Sequence, residues 1–337
     1  MCDPTLQATE GEAAKGKDRF GGGYRPNGTH DPRKKTGMLA SLLTLLKTSL
    51  LLLVAGALAA GCGFGGSGGL TLGYLGWDEN VANSNLTRVL LEEDLGYQNV
   101  ELKLADDVGP VYEDLIEGNT DAFMDAWMPN HQEFVDQGRG RIEVSIEPWY
   151  SGQTRYGIAA PKYMQNVRTI SDLNYSGTDM LTGIEPGAVL MKKIETDVMP
   201  QYHLRFNLVE ATTPAMLAEL EQAYSMKEPF VFLAWSPHWM NQEYKFRYLS
   251  DPKNAMGMVD APQRLHSVTR EGFAEDEPAA YALINAMRLN EDQVGSLELA
   301  INKAGDPETG VRRWLEEKNN RELVRPWIEA AKNAQEG

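Results

Sequence analysis

From Leu70 onward the chain alternates between two hydrophobic rhythms. Short apolar runs of four to six residues are followed by longer stretches in which apolar positions recur every third or fourth residue, the periods of strand and helix respectively. The pattern predicts strands at 70–75, 100–104 and 122–126, with helices at 81–95 and 110–117 that stop at Gly96 and Gly118. A second series places strands at 156–160, 180–184, 204–209 and 230–234, and helices at 189–198 and 215–224. The last of these helices has Thr213 as its expected N-cap and Pro214 at its first position. From Glu277 the pattern is helical, with one Gly-Asp-Pro break at 305–307. Strand–helix alternation predicts an α/β fold with parallel sheets covered by helices. Two series of similar length predict two lobes. Gly and Pro cluster near 152–157 and 250–260, where the chain is expected to cross between them. Lobe 1 is then 70–155 plus 256–337 and lobe 2 is 156–255, with the C-terminal helices packed back on lobe 1.

The residues before this pattern read as an address. Residues 1–61 combine a Gly-rich polar extension, the basic cluster Arg33-Lys34-Lys35 and an apolar run from Met38 that ends in small residues before Cys62. The segment Leu58-Ala59-Ala60-Gly61-Cys62 resembles a bacterial lipoprotein signal, with the leucine one position early. The resemblance implies cleavage before Cys62, lipidation of its thiol, and a flexible Gly/Ser tether over 62–69. The other reading is an uncleaved anchor helix, long enough to span although Lys47 interrupts it. Translation starting at Met38 is a further alternative. Every version places the folded part outside the cytoplasm.

Composition narrows the chemistry. The net charge is −16, and the residues after Gly61 are more acidic than the whole. Such a surface is a poor partner for nucleic acid, whose phosphates need Lys and Arg. The two cysteines, Cys2 and Cys62, leave the folded part without a disulfide or a paired-cysteine zinc site, and the five histidines show no metal-ligand spacing. Neither a metal nor a cofactor is expected.

Three of the seven tryptophans share an unusual placement. Trp77, Trp127 and Trp235 each come at the carboxyl end of a predicted strand, the edge at which open α/β sheets bind ligands. A quaternary ammonium has no N–H to donate. It offers diffuse positive charge and a methyl surface, and indole faces match both. The turn Ile184-Glu185-Pro186-Gly187-Ala188 then leads into a helix whose free N–H groups suit a carboxylate. No GK[ST] follows, which argues against nucleotide.

GWDEN at 76–80, AWMPNH at 126–131, GIEPG at 183–187 and AWSPHWM at 234–240 together resemble the glycine-betaine/proline-betaine-binding proteins of ABC importers, over about 70–327. The resemblance implies a two-lobed, type II periplasmic-binding-protein-like fold with ligand in the cleft. It implies that Trp77, Trp127 and Trp235 form an aromatic box and that the backbone N–H groups of Val189 and Leu190 hold the ligand carboxylate. His131 is the candidate for a further carboxylate contact, one residue closer to its tryptophan than in the family pattern. Trp149-Tyr150 either lines the cleft or packs at the crossing. The implied partners are a betaine, an ABC permease carried on a separate chain, and the membrane through a lipid anchor.

Two other classes fit parts of the pattern. Asp78, Glu79 and Asp125 lie beside the tryptophans, so a secreted hydrolase that stacks sugars on indoles is one; the simpler expectation is that these carboxylates cap turns or accept from the indoles. A binding lipoprotein that serves a sensor is the other. Among methylated cations, the carboxylate-binding turn favours glycine betaine and disfavours choline.

Overall fold

The structure, a computed structural model, describes residues 69–257 and 261–336. The signal segment, Cys62, nearly all of the tether and part of the second crossing lie outside the described residues. The rest belongs to one compact unit, Phe64–Gly337.

The first series is β1 (Leu70–Tyr74), α1 (Asp78–Asp94), β2 (Val100–Leu104), α2 (Val108–Glu117), β3 (Ala122–Met128), α3 (Gln132–Gln137) and β4 (Ile142–Val144). α1 buries Ala82, Leu86, Val89 and Leu90 along one stripe, and Asp78 in its first turn complements the helix dipole. The Asp107 side chain caps α2 by accepting from Gly109 N at 3.2 Å. α2 ends at Gly118, whose φ of 76° is the left-handed conformation that a helix stop requires.

The second series is β5 (Arg155–Pro161), a 3₁₀ turn (Ile170–Tyr175), β6 (Met180–Thr182), α4 (Val189–Lys193), α5 (Met199–Tyr202), β7 (Asn207–Val209), α6 (Thr213–Met226), β8 (Phe232–Ser236), α7 (Met240–Glu243) and β9 (Phe246–Tyr248). β10 (Arg264–Arg270) and the helices α8 (Phe273–Asp276), α9 (Pro278–Ala286), α10 (Glu291–Ala304), α11 (Pro307–Glu316) and α12 (Lys318–Glu336) complete the chain. The break at 305–307 is resolved into a left-handed Gly305 that stops α10, and an Asp306 cap followed by Pro307 that starts α11. These helices return to α1 through ion pairs, Arg88–Glu308 at 2.8 Å and Arg312–Glu93 at 2.6 Å.

Two five-stranded sheets result, ordered β2-β1-β3-β10-β4 and β7-β6-β8-β5-β9. Both are mixed, where the sequence pattern predicts parallel sheets. β10 runs antiparallel to β3 and β5 antiparallel to β8. Each of these strands enters its sheet directly from the other series, with no crossover helix to enforce parallel pairing. They also lengthen their neighbours. Leu265 pairs with Trp127 and Tyr156 pairs with Trp235, so both tryptophans lie inside the last turns of β3 and β8 rather than just beyond them.

The two sheets repeat one plan that the sequence does not display. β1 and β3 correspond in order to β6 and β8. Trp127 and Trp235 therefore occupy equivalent strand ends, each followed one residue later by a cis proline bond, Met128–Pro129 and Ser236–Pro237. The Trp77 turn after β1 is the counterpart of the 183–188 turn after β6. The fold is thus two mixed sheets flanked by helices, with strand ends from both facing a common cleft. Among the described residues no helix is long and apolar enough to cross a membrane.

Candidate functional site

The strand ends enclose a cavity of about 310 Å³, lined by Trp77, Glu79, Trp127, Asn130, His131, Tyr156, Ile184, Val189 and Trp235. Five of the six residues singled out in the sequence are in this wall. Leu190 is not: its side chain is fully buried, and its N–H lies near the Tyr156 phenol. Trp149 and Tyr150 pack against each other at 6.0 Å outside the cavity wall. Their role is at the crossing, where Trp149 N donates to Leu265 O and Tyr150 bridges to Leu289.

Tyr156 and Glu79 are wall residues for which the sequence pattern gave no such role. The Tyr156 ring stands 5.5 Å from that of Trp127, so the aromatic wall has four members. Its signal was its register opposite Trp235 on β5, which only strand pairing reveals. Glu79 was visible as an acid beside Trp77; that it turns into the cavity follows from the first turn of α1, where it is 1% exposed.

The indoles are fixed by their N–H groups. Trp77 Nε1 donates to Glu185 Oε2 at 3.1 Å, Trp235 Nε1 to Glu79 Oε2 at 2.8 Å, and Trp127 Nε1 to Asp125 Oδ2 at 3.2 Å. Trp239 Nε1 donates to Asp78. Three of the four bonds run between the two series, and they are reciprocal. A tryptophan of the first meets a carboxylate of the second, and two tryptophans of the second meet carboxylates of the first. With their N–H groups tied to carboxyls, Trp77, Trp127 and Trp235 are held in the cavity wall. The closeness of the two sides is also seen at Gly187, where a Cβ would lie 2.1 Å from the Asp107 carboxylate.

Glu185 shows how the local sequence builds this. Its Oε1 accepts from Thr213 N at 2.8 Å and its Oε2 from Thr213 Oγ1 at 2.9 Å. Thr213 is therefore not the cap expected from the sequence. Thr212 caps α6 instead, accepting from Ala215 N at 3.4 Å. Glu185→Ala leaves the buried Trp77 and Thr213 donors unpaired. It is expected to lower unfolding free energy by on the order of 3 kcal/mol, while Glu185→Gln, which retains one carbonyl acceptor, recovers part of the loss. Urea unfolding of both variants checks this; equal stability of the alanine variant and the parent would refute it.

The electrostatics are one-sided. Burial raises Asp78 to about 6 and Asp125 to about 8. Burial, with repulsion from Asp125 and Glu298, raises Glu79 well above the usual carboxyl range. Burial and the nearby Asp78 do the same to Glu298, whose Oε2 accepts from Trp239 N at 2.6 Å. Burial also lowers His131 and His238 to about 3, so both imidazoles are neutral near pH 7. His238 Nε2 is 3.4 Å from Asp78 Oδ2. Since His238 Nδ1 accepts from Met240 N at 3.0 Å, this is a neutral N–H facing a carboxyl and not an ion pair. His131 Nδ1 lies 3.3 Å from Tyr112 Oη. Where that phenol donates, the neutral cavity-lining ring carries its proton on Nε2. Among the described residues no group of metal-ligating side chains is assembled. One oxygen of each of Asp78, Glu79 and Asp125 accepts from an indole, the simpler of the two roles open to them from the sequence.

Residues 68–317 match the substrate binding domain of ABC-type glycine betaine transport systems, and the chain belongs to this family. It is 31% identical over 160 residues to the glycine betaine/carnitine transport binding protein GbuC of Listeria monocytogenes, a match covering 47% of this chain and 50% of the relative. The chain thus spans about half the length of that curated relative. Among solved structures it is similar to lactococcal OpuAC in its closed-liganded conformation complexed with glycine betaine. The TM-score is 0.68 at 26% identity, covering 77% of this chain and 99% of the other. A glycine betaine, L-proline transporter binding protein (ProX) from Borrelia burgdorferi gives a TM-score of 0.69 at 24% identity, with 80% and 100% covered. An ABC-transporter choline binding protein in complex with choline gives 0.69 at 24% identity, with 79% and 98% covered. The last two support the two-lobed fold alone.

Proposed function

We propose that the protein captures a quaternary-ammonium compatible solute, glycine betaine foremost, between lobes 70–155 plus 256–337 and 156–255, and hands it to a separate ABC permease. The observation that carries this reading is the cavity bounded by Trp77, Trp127, Tyr156 and Trp235. Their faces supply cation–π attraction and cover the methyl groups, about 2 kcal/mol for each desolvated contact. At the other end, the Val189 N–H and the neutral His131 Nε2–H are donors for a carboxylate. Tyr156 adds a phenol to the wall near the Leu190 N–H, a further donor for the ligand. No bond is made or broken in this scheme, so the protein acts as a receptor and not an enzyme. The domain works outside the cytoplasm, held to the membrane by a lipid on Cys62.

Titration calorimetry of residues 69–337 against glycine betaine, proline betaine, carnitine and choline tests the reading. Saturable binding of glycine betaine is expected, with choline weaker because it lacks a carboxylate. A folded sample that binds none of the four removes the proposal. Choline binding tighter than all the carboxylates would reassign the ligand class while keeping the cage.

A further inference from the structure

The cage has carboxyl groups and no cation. Glu79, 1% exposed, lines the cavity, and Asp125, fully buried, stands behind it. Each spends one oxygen on an indole, Glu79 Oε2 on Trp235 and Asp125 Oδ2 on Trp127. Each has its other oxygen buried with no donor from the protein. The two carboxyls are near enough to repel one another when both are ionised. Two bare carboxylates cannot bond to each other. One proton between them satisfies both free oxygens, the arrangement that close buried acid pairs adopt.

The surroundings hold that proton in place. The Glu298 carboxyl acts on Glu79 from α10, Asp78 on α1 acts in turn on Glu298, and Glu185 in the turn after β6 acts on Tyr156. The phenols of Tyr112 on α2 and Tyr156 on β5 adjoin it. The imidazoles His131 and His238, beyond β3 and β8, are neutral. Neither lysine nor arginine is among the groups that perturb Glu79 or Asp125.

We propose that Glu79 and Asp125 form a proton-holding pair that serves as the counter-charge of the cage, so that entry of the ligand's ammonium group expels a proton to solvent. This rests on the reading of the cavity as a quaternary-ammonium site. A permanent cation 1:1 with a buried acid pair stabilises the ionised form and lowers its proton affinity. By linkage, the ligand then binds the deprotonated protein more tightly. Affinity therefore rises with pH while the free protein holds the proton and the complex does not, and levels off above that range. Glycine betaine and choline change no charge of their own near neutrality, so the proton comes from the protein.

The test is calorimetric titration of glycine betaine, and of choline, at pH 7 in buffers of different ionisation enthalpy. The slope of observed heat against buffer enthalpy gives the protons released. Between about half and one proton per ligand is expected, and the dissociation constant should fall by up to about tenfold per pH unit from pH 6 to 8. Asp125→Asn and Glu79→Gln remove the pair and should abolish most of the release, whatever they do to affinity; circular dichroism and a cooperative melt verify that each has folded. Binding with buffer-independent heat and a flat pH profile overturns the proposal and leaves the receptor reading intact. Release that persists in a folded variant also overturns it, by locating the proton elsewhere. Absence of any binding instead removes the receptor reading on which it rests. If neither variant folds, the heat slope of the unaltered protein alone decides.

Discussion

Trp235→Ala is expected to weaken glycine betaine binding by roughly a hundredfold, a larger loss than for Trp127→Ala. Two effects add. The desolvated indole face is worth about 2 kcal/mol to the cation. The N–H that holds Glu79 Oε2 at 2.8 Å disappears as well, leaving that buried oxygen without its donor, at a cost of about 1 kcal/mol. The sum, about 3 kcal/mol, is two decades in affinity. Trp127→Ala should lose about thirtyfold, because the bond it breaks, to Asp125, stays within one sheet and does not tie the two sides of the cleft together. Trp235→Phe keeps a ring face without the N–H and should fall between the parent and Trp235→Ala. Truncating a buried tryptophan also costs stability, about 3–5 kcal/mol, so each variant is titrated only below its melting range. Trp235→Ala binding as tightly as the parent would show that the cavity is not the ligand site.

The reason this site was partly legible in the sequence lies in how strand ends work. A tryptophan immediately after an apolar run announces both its element and its position at the functional edge of a sheet, and Trp77, Trp127 and Trp235 all do so. Helix punctuation was equally readable at Gly118, Gly305 and Pro307, because caps depend on single residues and local geometry. What depends on pairing was hidden. β10 reads as an ordinary mixed segment, since its partners β3 and β4 are more than a hundred residues away. For the same reason the mixed character of both sheets, the extension of β3 and β8 and the placement of Tyr156 opposite Trp235 had no local signature. Thr213 misled for a related reason. It has the side chain of a cap beside a proline, yet its hydroxyl and N–H answer Glu185. That carboxylates would meet the indoles was readable, but not their reciprocal pairing: GWDEN and AWSPHWM each display donors and acceptors, and only the closed arrangement of the two sheets decides which meets which.

Those same buried carboxyls lead to a second large effect, on stability. The melting temperature is expected to fall as pH rises from about 6.5 to 8, by about 4 °C or more. The sign follows from proton counts. Asp125 is raised to about 8 in the folded protein and titrates near 3.9 when unfolded. Glu79 and Glu298 are raised in the same direction by burial and mutual repulsion. An acid whose folded pKa exceeds its unfolded one contributes stability that is fully present below the unfolded value and is lost as pH climbs through the folded value. Over this window the unfolded chain has already lost those protons and the folded protein still holds them. Each excess proton costs about 1.4 kcal/mol per pH unit, so Asp125 alone gives about 2 kcal/mol across the range, or some 4 °C for a protein of this size. The two buried histidines act oppositely, but lower down. They stay neutral in the fold to about pH 3 and protonate near 6.5 when unfolded; their stabilisation is complete above 6.5 and drains away in acid. The decline should therefore be steepest above 6.5, where nothing offsets the carboxyls, and shallower below it. Asp125→Asn should flatten it. Saturating glycine betaine should flatten it too, because a cation in the cage lets the pair ionise inside the fold. Scanning calorimetry at pH 6.5, 7, 7.5 and 8, with and without ligand, measures all of this. A melting temperature that is constant or rises across that series would mean that the carboxyls are already ionised beneath the tryptophans, with their charge compensated by some other group.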